Sequence, residues 1–188
     1  MPLVGVARWT DPDWRTAHLA WAEARLAEHG RRRRGDVQAR PRPWSVVFRI
    51  PTDRGVVWSK ANGPGSAHEG PLLEVMAAIG ETRALLPMAV DAARGWLLLD
   101  DGGPTLRSLA AEDGRNGDTD LRRWERILGD YAALQRRMVP RVDDMLAVGV
   151  PDERPERLPS TLARLLDTDD VWARVDEADR PATDDARR

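Results

Sequence analysis

The chain of 188 residues contains no cysteine, so it can form neither a disulfide framework nor a thiolate metal site. Its three histidines, His18, His29 and His68, do not stand at the spacing of paired metal ligands. No apolar run approaches the ~20 residues that a transmembrane helix needs, and the N-terminus lacks the basic and apolar segments of a signal peptide. We therefore expect a cytoplasmic protein with no metal ligands and no membrane partner.

The chain also lacks a large excess of either positive or negative charge, because its net charge is −2. A balanced chain has no general attraction for nucleic acid. The exception is local: residues 31–34 are four consecutive arginines, which could grip phosphates. We interpret this run as a solvated loop between a helix and a strand, and we expect no nucleic-acid partner.

Lysine is almost absent as well. Lys60 is the only lysine among 29 basic residues, all the others being arginine. Lysine is a compact point charge on a flexible stem, whereas arginine presents a wide planar fork. A chain that otherwise uses arginine, yet places one lysine in an apolar strand, indicates a chemical role for that lysine.

The first half of the sequence predicts a helix followed by a β-hairpin. Asp11 is a suitable N-cap, Pro12 fits the first turn, and the helix is expected to stop near Gly30. Residues 44–50 alternate strictly between the two faces of a strand, with Trp44 among the apolar set, and residues 51–55 form a turn. A second strand over residues 56–61 places Lys60 on the face of Val56 and Trp58.

A helix is predicted from the glycine-rich break at residues 62–65 to about Gly80, and Glu69 lies on its apolar face. A buried carboxylate is costly unless it is paired, and Lys60 is the nearest cation in sequence. The alternative is a capping box from Ser66 to Glu69, in which Glu69 satisfies a backbone donor. That register places Pro71 in the fifth helical position at a cost of about 3 kcal/mol, so we favour the ion pair.

Two short strands are predicted next, over residues 88–90 and 96–99, and a hinge at residues 100–104. The remainder is helical. A helix from Asp120 to Pro140 is expected to bury Leu121, Trp124, Leu128, Tyr131 and Met138. A shorter helix covers residues 142–148, Ser160 caps a last one, and the tail from Asp176 is expected to be disordered.

These stretches, in this order, resemble the aminoglycoside phosphotransferase-like family of protein-kinase-like fold, in the branch with an added N-terminal helix. The matching segments are residues 42–49 (RPWSVVFR), 57–61 (VWSKA), 68–69 (HE), 95–106 (GWLLLDDGGPTL), 131–135 (YAALQ) and 149–152 (GVPD). The resemblance covers nearly the whole chain, but only the first half of a typical member.

The resemblance implies an α+β fold. Residues 1–103 would form a kinase-like N-lobe, an antiparallel sheet with one packed helix, an extra N-terminal helix and the hinge. Residues 104–175 would form the first helices of an incomplete C-lobe, and residues 176–188 the disordered tail.

The resemblance also implies ATP with Mg²⁺ as cofactor and gives each site residue a role. Lys60 would contact the α- and β-phosphates, and Glu69 would orient it. Leu99 would stand behind the adenine, and backbone groups of Asp100 and Gly102 would bind the adenine edge. The side chains of Asp100 and Asp101 are expected to be solvated and without a role.

Two departures from the family pattern matter. The segment where the phosphate-covering loop should lie, residues 38–43, contains no glycine. None of the three histidines is followed two places on by aspartate, so the His-x-Asp-x-x-x-x-Asn catalytic loop is missing, as are the metal ligands. The sequence therefore contains no catalytic residue for phosphate transfer.

We therefore expect the nucleotide-binding half of an ATP-dependent kinase of small hydroxylated molecules, ending before the catalytic loop and lacking its C-terminal half. The alternative is a standalone, non-catalytic module that binds a nucleotide or a protein. A third interpretation is an unrelated α+β domain in which the lone lysine is accidental. Whether the chain is an enzyme stays open.

Overall fold

The computed structural model describes residues 6–112 and 118–167 and is an α+β structure. Five strands form one antiparallel sheet, and helices precede, interrupt and follow it. The helices are α1 (Val6–Thr10), α2 (Pro12–Glu28), α3 (Glu69–Ala78), α4 (Leu106–Glu112), α5 (Asp118–Met138), α6 (Val142–Ala147) and α7 (Leu158–Leu166). Short 3₁₀ turns lie at Pro64–Ser66, Val139–Arg141 and Pro155–Arg157.

The strands are β1 (Gln38–Arg42), β2 (Ser45–Thr52), β3 (Gly55–Asn62), β4 (Pro87–Asp91) and β5 (Trp96–Asp100). Their order across the sheet is β1-β2-β3-β5-β4. The predicted hairpin is confirmed as β2 and β3, and the two later strands are confirmed as β4 and β5. Trp44 departs from the prediction, because it lies in the turn before β2 and is 63% exposed.

One face of the sheet carries the hydrophobic core and packs against α2. The alternation of β2 directs Val46, Phe48 and Ile50 to this face, where each is almost fully buried. Helix α2 begins as predicted, because the Asp11 carboxylate accepts a hydrogen bond of 2.7 Å from the Trp14 N–H. Buried members of the core from the other elements are Trp9, Ala22, Leu26, Val57, Ala61, Trp96 and Leu98.

Helix α3 lies against β4, and one glycine makes this close approach possible. Gly70 is the buried residue of α3. A Cβ atom built on Gly70 would stand 2.7 Å from Cγ1 of Val90 and 3.3 Å from its Cγ2. Only glycine therefore fits here without moving the helix that begins with Glu69.

We expect Gly70→Ala to destabilise the protein by about 1–3 kcal/mol, because overpacking at a well-packed contact forces the neighbours apart. In a Val90→Ala background the obstructing methyl groups are gone, and the same change should cost nothing or stabilise the helix by up to ~1 kcal/mol. Urea unfolding of the four proteins of this double-mutant cycle measures the coupling. Additive effects of the two substitutions would contradict the contact.

Helix α5 differs from the prediction in what it buries. Met138 is 6% exposed, as expected, but Leu121, Trp124, Leu128 and Tyr131 are each at least 50% exposed. The apolar stripe was correctly identified at helical spacing, yet within the described residues no element covers it. Burial depends on a partner element, which periodicity alone does not supply.

The chain divides into two compact units, residues 1–150 and 151–188. In the second unit, α7 begins at Leu158 rather than after Ser160, so the predicted cap at Ser160 is wrong. The predicted disordered tail, residues 176–188, lies outside the described residues. No helix in the described ranges is long and apolar enough to cross a bilayer.

Candidate functional site

Lys60 lies on the face of the sheet opposite α2. The register places it between Val47 of β2 and Leu97 of β5. Residues directly opposite one another in a ladder share a face, and Trp58, two positions earlier in β3, therefore lies on this face too. The predicted orientation of Lys60 is confirmed, since the intervening Ser59 points into the core and is fully buried.

Lys60 pairs with Glu69 across the gap between β3 and α3. Its Nζ atom is 2.5 Å from Oε2 of Glu69, with the two side chains 26% and 34% exposed. Helix α3 begins at Glu69 itself, its N-cap His68 makes no side-chain cap, and Ser66 belongs to the preceding 3₁₀ turn. The capping-box alternative is therefore wrong, and the predicted ion pair is confirmed.

The partial exposure of this pair bears on its purpose. Ion pairs open to solvent typically contribute about 0–1 kcal/mol to folding, because water screens them and ordering the side chains costs entropy. The Lys60–Glu69 pair therefore does little for stability. What it does is hold the Lys60 ammonium in one position, at a partly open face of the sheet.

The predicted hinge residues follow at the end of β5. Leu99 is half-buried and lies opposite Trp58, on the Lys60 face. Asp100 ends the strand opposite Val57, and Gly102 follows in an exposed, irregular segment. Neither the N–H nor the C=O of Gly102 has a partner among the described residues, so both are open to a ligand. Leu85 lies beside Gly102: its Cδ2 atom is 3.5 Å from the position that a Cβ atom on Gly102 would take.

The hinge carboxylates are open to solvent, as the sequence suggested, but both also have hydrogen-bond partners. Both Asp100 oxygens accept hydrogen bonds from Arg31, at 2.9 and 2.7 Å. Asp101 Oδ1 accepts from the Trp58 indole N–H at 3.2 Å and from the Gly103 N–H at 3.1 Å. The Arg31 guanidinium, through this hydrogen bond, lowers the pKa of Asp100. These contacts fix the hinge to β3 and to the loop after α2.

Two of the four arginines at residues 31–34 therefore make structural contacts. Arg31 clamps Asp100, and the Arg33 guanidinium pairs with Glu23 at 2.5 Å. Arg32 and Arg34 are exposed, as a solvated loop predicts. Sequence reasoning missed the clamp, because Arg31 and Asp100 stand far apart in the chain.

Asn62 is a further polar group near Lys60 that the sequence did not single out. Alternation along β3 places it on the Lys60 face, where it is 3% exposed. Neither its Nδ2 nor its Oδ1 has a hydrogen-bond partner among the described residues. Buried amides are nearly always paired, so an unpaired one beside a candidate site marks a group that a ligand could satisfy.

The segment expected to cover phosphates is a strand. Gln38–Arg42 forms β1, joined to β2 through a two-residue turn at Pro43 and Trp44. Because this segment has no glycine, the sequence put phosphate binding by its backbone in doubt. The structure shows a regular strand there instead of a loop. Within residues 6–112 and 118–167, no group of three His, Asp or Glu side chains could hold a metal ion.

Compared with models of protein families, with curated proteins and with solved structures, the chain shows no significant match.

Proposed function

We propose that this chain binds an adenine nucleotide at the sheet face that carries Lys60. The observation behind the proposal is the Lys60–Glu69 ion pair of 2.5 Å, which links the sole lysine to the first residue of α3. In protein kinases, a glutamate that pairs with a strand lysine in this way keeps the ammonium directed at phosphate oxygens of ATP. A partly exposed pair that contributes little to stability is consistent with that use.

The order of elements supports the kinase-like interpretation of the fold. A lysine-bearing hairpin, a helix that begins with glutamate, two strands and a glycine-containing hinge follow one another as in the phosphotransferase-like family. On this resemblance we propose a kinase-like N-lobe with an extra N-terminal helix, in a cytoplasmic protein.

The resemblance suggests a role for each residue of the site. Lys60 would contact the α- and β-phosphates, with Glu69 as its orienting residue. Leu99, on the same face, would contact the adenine, and the backbone of Asp100 and Gly102 would bind its edge. The open N–H and C=O of Gly102 support this role.

Phosphate transfer is a separate matter, because the sequence has no His-x-Asp-x-x-x-x-Asn loop. We propose a nucleotide-binding half of a kinase for small hydroxylated acceptors, with the catalytic aspartate and the Mg²⁺ ligands supplied by a C-terminal half. No transfer step is assigned to the residues of this chain.

Titration calorimetry with ATP, with and without Mg²⁺, tests the proposal. We expect Lys60→Ala to weaken ATP binding by about tenfold or more, the value of one charge-assisted hydrogen bond, and to leave adenosine binding unchanged. Glu69→Gln should weaken ATP binding less, since it frees the lysine without removing it.

Arg34→Ala is the matched control, because it removes one positive charge from an exposed side chain elsewhere. An unchanged ATP affinity in Lys60→Ala would show that the site is assigned wrongly. No ATP binding by the wild-type chain would refute the function itself.

The alternative, a protein-binding module, is favoured by one observation. Leu121, Trp124, Leu128 and Tyr131 form an exposed apolar stripe along α5. A large contiguous apolar patch on a protein surface typically marks an interaction site. The wild-type calorimetry separates the two functions, because a module of this kind has no need to bind ATP.

A further inference from the structure

A cavity of about 320 Å³ lies over strands β1 to β3. Its lining contains two arginines and a tryptophan but no acidic side chain, the full set being Gln38, Ala39, Arg40, Val47, Arg49 and Trp58. Because the charged groups of the lining are all cations, the cavity suits an anionic ligand.

The sheet register places this cavity beside Lys60. Arg40 of β1 and Lys60 of β3 both lie opposite Val47, one on each side of it. With neighbouring strands about 4.8 Å apart, the backbones at Arg40 and Lys60 are roughly 10 Å apart. Arg49, two positions after Val47, is a diagonal neighbour of both. The three cations therefore surround Val47 on one face.

Neither arginine has a partner within the described part of the chain. No hydrogen bond or ion pair involves the side chain of Arg40 or Arg49, whereas Arg31, Arg83 and Arg94 are each held by a carboxylate. Gathering like charges on one surface is unfavourable without a counter-charge. Glu69 is already paired with Lys60, so the guanidinium groups of Arg40 and Arg49 have no carboxylate partner among the described residues.

Trp58 gives the cavity an aromatic wall next to the hinge. It lies opposite Arg49 on β2 and opposite Leu99 on β5. Its indole N–H is held by Asp101, which fixes the ring between the cavity and the hinge. The cationic cavity and the proposed adenine contact at Leu99 are thus adjacent to the same side chain.

We propose that Arg40 and Arg49 bind the phosphate chain of the nucleotide, in place of a glycine-rich backbone loop. The proposal rests on the function proposed above and adds the residues that grip the phosphates. β1 is an extended edge strand rather than a glycine-rich turn, so its N–H groups do not converge on one phosphate, and the grip falls to side chains. Guanidinium groups are well suited, because their planar fork donates two parallel hydrogen bonds to phosphate oxygens.

The experiment compares the Arg40→Gln/Arg49→Gln double variant with Arg34→Gln/Arg54→Gln, which removes the same charge from exposed arginines outside the cavity lining. Each protein is titrated with ATP, with adenosine and with inorganic tripolyphosphate, after far-UV circular dichroism has verified folding. We expect the first variant to lose at least about tenfold in affinity for ATP and tripolyphosphate, and none for adenosine. The control variant should bind all three as the wild type does.

Equal ATP affinities in the wild type and the cavity variant would overturn the inference and leave the nucleotide-binding function standing. An equal loss in the control variant would also overturn it, since general charge would then explain the effect. Tripolyphosphate binding that needs Arg40 and Arg49, in a wild-type chain that does not bind ATP, would refute the nucleotide function and support an anion site. Binding of neither ligand by the wild type would overturn both proposals.

Discussion

Replacing His18 with glutamine or phenylalanine is expected to abolish most of the loss of stability that the protein undergoes between about pH 6.5 and pH 4. His18 is fully buried in α2, stacked on Phe48 at 4.8 Å between ring centroids and meeting the edge of Trp96 at 4.7 Å. Burial, with a smaller contribution from Arg94, lowers its pKa from 6.5 to about 4.

The hydrogen bonds around His18 indicate which nitrogen carries the proton. Ser59 Oγ donates to the Leu97 carbonyl at 3.4 Å, so it accepts from Nε2 of His18 at 2.9 Å. The ring is therefore neutral with its proton on Nε2, and Nδ1 has no partner among the described residues. A second proton would place an unpaired charge inside the aromatic cluster.

The sign of the pH effect follows from proton binding. Between the two pKa values the unfolded chain binds a proton at His18 and the folded chain does not, so acid favours unfolding. The contribution is fully present above pH 6.5 and is lost as the pH falls towards 4. A pKa difference of this size corresponds to about 3 kcal/mol in total.

Urea unfolding from pH 7.5 to pH 4 measures this dependence. The wild-type free energy of unfolding should fall steeply over the window, whereas His18→Gln and His18→Phe should give nearly flat profiles. His29→Gln, at an exposed histidine, is the control and should follow the wild type. A steep profile that persists in both His18 variants would show that another group titrates there.

Replacing Glu81 with glutamine is expected to lower Tm by far more than replacing Asp130 with asparagine. The Glu81 side chain is 1% exposed and accepts hydrogen bonds from Nε of Arg83 at 3.0 Å and Nη1 of Arg137 at 2.7 Å. Glu81 therefore joins the loop before β4 to α5. Glutamine keeps the shape but removes the anion of Arg137 and leaves Arg83 with the exposed Asp130 as its carboxylate partner.

Asp130 is the matched control, because it also contacts Arg83, at 3.0 Å, but is 52% exposed. Exposed pairs of this kind contribute about 0–1 kcal/mol. Thermal unfolding of both variants at pH 7 makes the comparison. Equal shifts in Tm would mean that Glu81 is not the link between loop and helix.

The Glu81 contribution also has its own pH window. Hydrogen bonds from Arg83 lower the pKa of Glu81 from 4.5 to about 2. The stabilisation is present above pH 4.5 and is lost as the pH falls towards 2, because the folded state resists protonation. The Arg31–Asp100 pair also loses its stabilising effect in acid, because the pKa of Asp100 is lowered by its hydrogen bond from Arg31. The range from pH 4.5 to 6.5 lies above the Glu81 window and therefore reports on His18.

The features that the sequence itself determined are local. Alternation along β2 and β3 fixed which face carries Lys60, because side chains in a strand alternate with a period of two. Asp11 and Pro12 marked the start of α2 for an equally local reason, the unpaired N–H groups of a first helical turn. The Lys60–Glu69 pair could be predicted from the sequence, because only eight residues separate its two members.

Only the tertiary structure decided the contacts between distant segments. Arg40 and Arg49 become neighbours of Lys60 through the register of three strands, and Arg31 meets Asp100 through the packing of α2 beside the sheet. The exposed stripe of α5 has the same origin, since helical spacing marks an apolar face but not what covers it. Periodicity is set by backbone geometry within a few residues, whereas register and packing depend on which distant segments exclude water together.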